Sequence, residues 1–116
     1  MPDRATDTIT SWHAHVYFDA SSRDVARALY ERLPALLPGA EIGRFHERPV
    51  GPHPMWSYQI AFTPALFAEI VPWLALNRGG LDVFVHPNTG DGRTDHAEHV
   101  LFLGKSYTLE LAAFDR

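Results

Sequence analysis

The sequence contains no cysteine, and this absence excludes several kinds of chemistry at once. Disulfide bonds, thiolate metal ligands and cysteine nucleophiles are all ruled out. Any metal ion bound by this chain must therefore be held by nitrogen and oxygen ligands.

Positive charge and long apolar runs are also scarce. Lysine and arginine total 10 against 14 acidic residues, so the formal net charge is −4 with histidine neutral. A phosphate backbone is therefore not an expected partner. No apolar run approaches the roughly 18 residues of a membrane span, and residues 1–10 lack the apolar core of a secretory signal. We expect a cytoplasmic protein that binds neither nucleic acid nor a membrane.

What is present indicates one globular unit with an unusual side-chain content. A chain of 116 residues is long enough for a single core, since it should bury roughly 65% of its unfolded surface. Hydrophobic residues at 46% and charged residues at 21% are ordinary values. We interpret residues 1–10 as a tail and residues 11–116 as one domain. The seven histidines are the unusual feature.

The stretch from Trp12 to Phe18 reads W-H-A-H-V-Y-F and alternates with period two, which predicts a strand. One face of this strand is apolar and is expected to lie on helices. The other face carries two imidazoles and a phenol, from His13, His15 and Tyr17.

The remaining patterns predict an α+β fold of the ferredoxin-like type. Helical spacing and alternation place the further elements as follows: helices over 21–37 and 63–79, strands over 41–48, 55–62 and 81–85, and one or two extra strands within 99–103 and 107–112. The order βαββαβ is that of a ferredoxin-like sandwich. We expect the sheet order fourth, first, third, second, with the first and third strands parallel.

This topology predicts that histidines from separate segments meet. The start of the first strand would lie beside the start of the third and the end of the fourth, which brings His13, His15, His53 and His86 to one end of the open face. Imidazole nitrogens suit iron, zinc, copper and nickel. The alternative is that these histidines are solvated polar residues with no ligand.

Two further regions carry candidate binding residues. Turn-forming residues from His86 to His96 predict a long irregular surface loop over the site. His96 on this loop is either solvated or in contact with a substrate. Arg44 and Arg48 lie on the predicted edge strand, where they can bind a substrate carboxylate or simply be solvated.

Three stretches of the chain resemble the DOPA 4,5-dioxygenase family of fungi and bacteria. They are residues 12–18, G-P-H-P-M at 51–55, and H-P-N-T-G-D at 86–91 with Asp95-His96 following. The resemblance extends from about Thr10 to Leu111. It implies extradiol cleavage of a catechol, such as DOPA, with O2 at non-haem Fe(II). Zinc is an alternative occupant of such a site.

Geometry and resemblance together suggest roles for individual residues. We assign His15, His53 and His86 as metal ligands and His13 as the acid–base residue, and the exchange of His13 with His15 stays open. His53 is also a candidate catalytic residue beside His13. The candidate substrate-binding residues are Tyr17, Arg44, Arg48 and His96.

A homodimer is expected because a four-stranded sheet with helices on one side leaves apolar surface uncovered on the other. Tyr17, Met55 and Phe84 would provide that surface, unless the extra C-terminal strands cover it within the chain. Two other functions remain open, since fold does not decide function. One is a dimeric ligand-binding or structural domain without catalysis, and the other is a cofactor-free oxygenase.

Overall fold

The central strand of the sheet, β1, spans Ser11–Phe18, as its alternation predicts. A computed structural model describes residues 3–115 of the chain. The elements that follow β1 are α1 (Arg23–Leu36), β2 (Glu41–Ile42), β3 (Trp56–Phe62), α2 (Phe67–Asn77), β4 (Asp82–Asn88), α3 (Gly92–Ala97) and β5 (Leu101–Leu103). Short 3-10 turns occupy Thr6–Thr8, Pro64–Leu66 and Leu111–Asp115.

The sheet has the order β2-β3-β1-β4-β5, which is the predicted ferredoxin-like order with one extra strand beside β4. The expected parallel pairing of the first and third strands is wrong, because β1 and β3 are antiparallel. The helix α1 returns the chain so that β2 runs parallel to β1, two positions away. The connection 43–55 then reverses the chain, and β3 lies between them, antiparallel to both.

Three segments differ from their predicted structure. The strand expected over 41–48 is regular only at Glu41–Ile42, with one further bridge between His46 and Ser57. The irregular loop expected over 86–96 is instead the end of β4 followed by the helix α3. The strand expected over 107–112 is absent, so β5 is the one extra strand in residues 3–115.

The apolar face of β1 forms the core with the two long helices. Ala14, Val16 and Phe18 are buried there against residues of α1 and α2, including Leu33 and Leu74. Full burial of each of the larger side chains, such as Val16, Leu33 and Leu74, stabilises the fold by roughly 1.5–3 kcal/mol. The two long helices therefore cover one face of the sheet, and the histidines of β1 lie on the opposite face.

That second face is covered by other parts of the same chain. The ring of Tyr107 packs edge-on against Tyr17 with centroids 5.2 Å apart, and Phe102 stacks on Phe84 at 5.1 Å. Tyr17 is 2% exposed and Phe84 is fully buried. The apolar surface on which the expectation of a homodimer rests is thus largely enclosed within one chain. In the part of the chain that the structure describes, no helix has the length and hydropathy to cross a membrane.

Candidate metal centre

The register of β1 against β4 places three histidines together. His13 lies directly opposite His86, and His15 lies opposite Phe84 on the same face. The Nε2 atoms of His15 and His86 are 3.1 Å apart. Because alternation puts every second residue on one face, this part of the cluster follows from the local sequence once the two strands are paired.

His53 reaches the cluster by a different route from the predicted one. Since β3 is antiparallel to β1, the start of β3 lies beside the end of β1, with Trp56 opposite Phe18. The turn before β3 folds back over the sheet and brings the His53 ring to 4.0 Å from the ring of His15. The cluster therefore lies over the body of β1 and not at one end of the sheet.

Two hydrogen bonds fix the position of His53. Its Nδ1 is 2.7 Å from the hydroxyl oxygen of Tyr17, and its backbone N–H donates to the carbonyl of Val50. The backbone N–H of Glu110 donates to the carbonyl of Pro52 and holds the turn from outside. His53 is 8% exposed as a result.

His96 is a fifth member of the cluster, carried by α3. Its ring centroid lies 3.9 Å from that of His86, and Phe114 packs on its other side at 4.8 Å. Asp91 caps α3 by accepting a hydrogen bond from the backbone N–H of Thr94. The N-cap residue Asp91 was the one sequence signal for this helix. The helix has only six residues and no apolar stripe, so hydrophobic periodicity could not predict it.

A buried carboxylate ties α3 to the end of β4. Asp95 is 1% exposed and accepts hydrogen bonds from the backbone N–H and the hydroxyl of Thr89, each at 2.7 Å. Both of its oxygens are therefore occupied within the chain. Asp95 places His96 and belongs to neither group of side chains that can hold a metal ion.

Two groups of three histidines have the geometry to hold a metal ion. The ligand atoms in each group lie within 4.8 Å of one another. The groups share His15 and are His13 with His15 and His86, and His15 with His53 and His96. The predicted ligand set of His15, His53 and His86 draws on both groups. An all-nitrogen donor set of this kind fits zinc or a first-row transition metal such as iron.

The surroundings keep all five imidazoles neutral. Burial lowers the pKa of His15 well below its usual value, and the nearby histidines lower it further. Burial likewise lowers the pKa of His53 to about 3 and that of His86 to about 4. Burial also lowers the pKa of His13 and of His96. Neutral imidazoles offer lone pairs to a metal ion without first losing a proton.

The orientation of His86 is that of a typical metal ligand. Its Nδ1–H donates to the carbonyl oxygen of Pro87 at 2.9 Å, which leaves the lone pair on Nε2. His96 is held in the same way, because its Nδ1–H donates to the carbonyl of Gly92 at 2.6 Å. Both rings therefore present Nε2 as an acceptor.

A depression of about 290 Å³ opens beside His15 and His53. This volume is near the lower end of the range for small-molecule sites. Of the four predicted substrate-binding residues, Arg44 lines this depression, whereas Arg48 is exposed and lies outside its lining. Tyr17 contacts His53 and not the depression. The remaining polar lining comes from His46, Ser57 and Gln59.

Fold and cluster define a small ferredoxin-like protein with a histidine-rich candidate metal centre. The sequence model of the Dopa 4,5-dioxygenase family matches residues 12–113, and the chain belongs to this family. The family resemblance of the three sequence stretches is thereby confirmed. The name of the family describes a dioxygenase.

Individual relatives agree with this membership. The chain is 34% identical to "DOPA 4,5-dioxygenase" of Amanita muscaria over 90% of its own length, and 34% identical to an uncharacterized 21.2 kDa protein of Botryotinia fuckeliana over 91%. It spans only 49% and 64% of these two relatives, respectively. A crystal structure at 1.46 Å of a "putative dioxygenase" from Nostoc punctiforme is similar with a TM-score of 0.93, at 48% identity and over 97% of both chains.

Proposed function

We propose that this chain is an extradiol dioxygenase that cleaves a catechol ring with O2 at a histidine-held Fe(II) ion. The observation that carries the proposal is the pair of three-histidine groups sharing His15, next to a depression of about 290 Å³. The relative named DOPA 4,5-dioxygenase supports a catechol such as DOPA as the substrate class. In the overall reaction the ring C–C bond beside the two hydroxyl groups breaks, and one atom of O2 enters an aldehyde and the other a carboxyl group of the ring-opened product.

Fe(II), when bound, would supply adjacent open positions for the catechol and O2 and the electron transfer that ring opening needs. The residues of the chain orient and enclose these reactants. Buried Phe84 excludes water from the floor of the cluster. Arg44 at the depression is placed to bind a carboxylate on the substrate side chain. Holding the reactants in this way replaces a bimolecular encounter.

Catechol oxidation also needs a group that accepts a proton and returns it. We assign this role first to His13, which is half-buried and forms no side-chain hydrogen bond within residues 3–115. The ligands are drawn from His15, His53 and His86, and the exchange of His13 with His15 remains part of the proposal. Positioned proton transfer contributes roughly 10² to 10⁴ in rate.

Several accompanying proposals concern the state of the protein. Zinc is proposed as a substitute ion, since it accepts the same nitrogen ligands. A cytoplasmic location and a homodimer are also proposed, although burial of Tyr17 and Phe84 removes much of the surface that favours a dimer. A sedimentation mass of 13.0 kDa at micromolar concentration would reject the dimer.

The decisive experiment measures metal content and oxygen uptake together. Protein purified without a histidine tag is loaded anaerobically with Fe(II), and uptake of O2 is followed with a panel of catechols. We expect iron bound near one equivalent and uptake that depends on both iron and catechol. Uptake without iron would indicate a cofactor-free oxygenase. Failure of both iron binding and uptake would leave a ligand-binding or structural domain.

A further inference from the structure

The hydroxyl of Tyr17 has a single hydrogen-bond partner, and this partner limits what His53 can do. Among residues 3–115, the Tyr17 hydroxyl contacts no acceptor other than Nδ1 of His53, at 2.7 Å. Both side chains are buried, at 2% and 8% exposure. A buried phenol without an acceptor for its proton loses roughly 1–3 kcal/mol, so the Tyr17 O–H must donate to Nδ1.

This donation determines the tautomer of His53. A neutral imidazole carries one N–H and one lone pair, so an Nδ1 that accepts a hydrogen bond leaves the proton on Nε2. His53 therefore presents an N–H to its surroundings, whereas His86 presents a lone pair because its Nδ1–H is bound to the Pro87 carbonyl.

The remaining histidines are not constrained in this way. His15 contacts His86 through Nε2, and within residues 3–115 no oxygen fixes its Nδ1. Its proton can move to Nδ1 and free Nε2 for a metal ion. His13 has no side-chain hydrogen bond in the described chain. Of the two three-histidine groups, the one formed by His13, His15 and His86 can thus offer three lone pairs without breaking a hydrogen bond to oxygen.

We infer that Tyr17 is a positioning residue that holds His53 as the Nε2–H tautomer, so that His53 donates a hydrogen bond to a substrate oxygen and is not a metal ligand. The inference rests on the proposed function and revises its assignments: His13 replaces His53 as the third ligand, and His53 takes over the contact with the substrate. His53 lines the depression beside the cluster, where a catechol oxygen would lie. Tyr17, which the sequence suggested as a substrate contact, acts through His53.

The tautomer is measured in the metal-free protein by long-range ¹H–¹⁵N NMR of the histidine rings. We expect the Nε2–H form for His53 and the Nδ1–H form for His86. His53→Gln and His86→Gln assign the signals by their loss. In Tyr17→Phe, which removes one oxygen, we expect His53 to lose its preference for one tautomer. A wild-type His53 found as the Nδ1–H form would overturn the inference, whether or not the protein is a dioxygenase.

Metal titration gives the second measurement. With Co(II) as the probe, we expect His53→Gln to bind within about threefold of the wild type, and His86→Gln to weaken binding by more than about 100-fold, above the usual effect of losing an outer partner. Equal losses in both variants would mean that His53 is a ligand. In iron-loaded protein, His53→Gln should retain more kcat/KM than His53→Ala, because the Gln amide keeps an N–H donor. If neither the wild type nor any variant oxidises a catechol, the proposed function is wrong, but the NMR result still determines the tautomer of His53.

Discussion

His15 and His86 direct their Nε2 atoms at each other from neighbouring strands, 3.1 Å apart. Two imidazole nitrogens at this distance can share one proton in a hydrogen bond, or both can bind one metal ion. Metal–nitrogen bonds of about 2.0–2.1 Å at a right angle place two ligand nitrogens about 3 Å apart. The spacing of these two nitrogens is thus already close to that of a pair of ligands on one ion, so binding would require little movement of β1 or β4.

His15 is the member common to both three-histidine groups, so its loss should abolish metal binding whichever group is used. We expect His15→Gln to lose measurable Co(II) or Fe(II) binding in an equilibrium titration. His99→Gln is the matched control, because His99 lies outside both groups and contacts Arg4 instead. Wild-type affinity in His15→Gln would exclude the proposed centre.

Acid should destabilise the metal-free protein in a defined pH range. Histidines in the unfolded chain take up protons near pH 6.5, whereas folded His86 does so at about 4 and His53 at about 3. The stability that these groups contribute is full above pH 6.5 and is lost as the pH falls toward their folded pKa values. Each can lower the free energy of unfolding by up to about 1.4 kcal/mol per pH unit in this range.

Urea unfolding between pH 7.5 and 5 measures this slope while most carboxylates stay ionised. His53→Gln should reduce this slope by up to about 1.4 kcal/mol per pH unit, the effect of one proton. An identical slope in His53→Gln and the wild type would show that His53 is protonated normally in the folded protein.

Arg44 and Arg48 allow a matched test of substrate binding. Arg44 lines the depression, whereas Arg48 does not. We expect Arg44→Gln to raise KM about 10-fold or more for catechols with a carboxylate side chain, since charge-assisted hydrogen bonds are worth about 1.5–3 kcal/mol. KM for unsubstituted catechol should change little. If Arg48→Gln has the larger effect on the carboxylated substrates, the depression is not the substrate site.

The hydrogen bonds of Asp95 to Thr89 should hold α3, and with it His96, in place. Asp95→Ala leaves the part-buried Thr89 N–H without its acceptor, and we expect a loss of about 1–3 kcal/mol in the free energy of unfolding. Thr89→Val removes the hydroxyl bond alone and should cost about 1 kcal/mol. Hydrogen exchange of the backbone amides in residues 89–97 should be faster in Asp95→Ala than in the wild type. Unchanged exchange there would mean that α3 is held by other contacts.

The part of the site that the sequence predicted is the part that depends on alternation. His13, His15 and His86 share a face because side chains alternate along a strand, and this holds whichever direction the neighbouring strands run. The wrong direction assigned to β3 therefore did not affect these three residues. Strand order was also predictable, because the element order βαββαβ is that of the ferredoxin-like arrangement.

The other two histidines depend on contacts between residues far apart in the chain. His53 is placed by a turn that the Glu110 backbone holds through Pro52, and His96 is placed by Asp95 and Phe114. Such contacts leave no periodic signal. The short helix α3 has six residues, too few for a helical pattern to be distinguished from a turn-rich loop.

Segment 107–115 touches both histidine-bearing elements that lie outside the long strands. Glu110 holds the turn of His53, and Phe114 packs on His96. The walls of the centre are thus set by a stretch that contributes no histidine of its own. Under the proposed function, substitutions at 108–115 are expected to reshape the space beside His53 and His96 without replacing a histidine. If the proposed function is right, a library confined to residues 108–115 should alter substrate selectivity while metal affinity is retained.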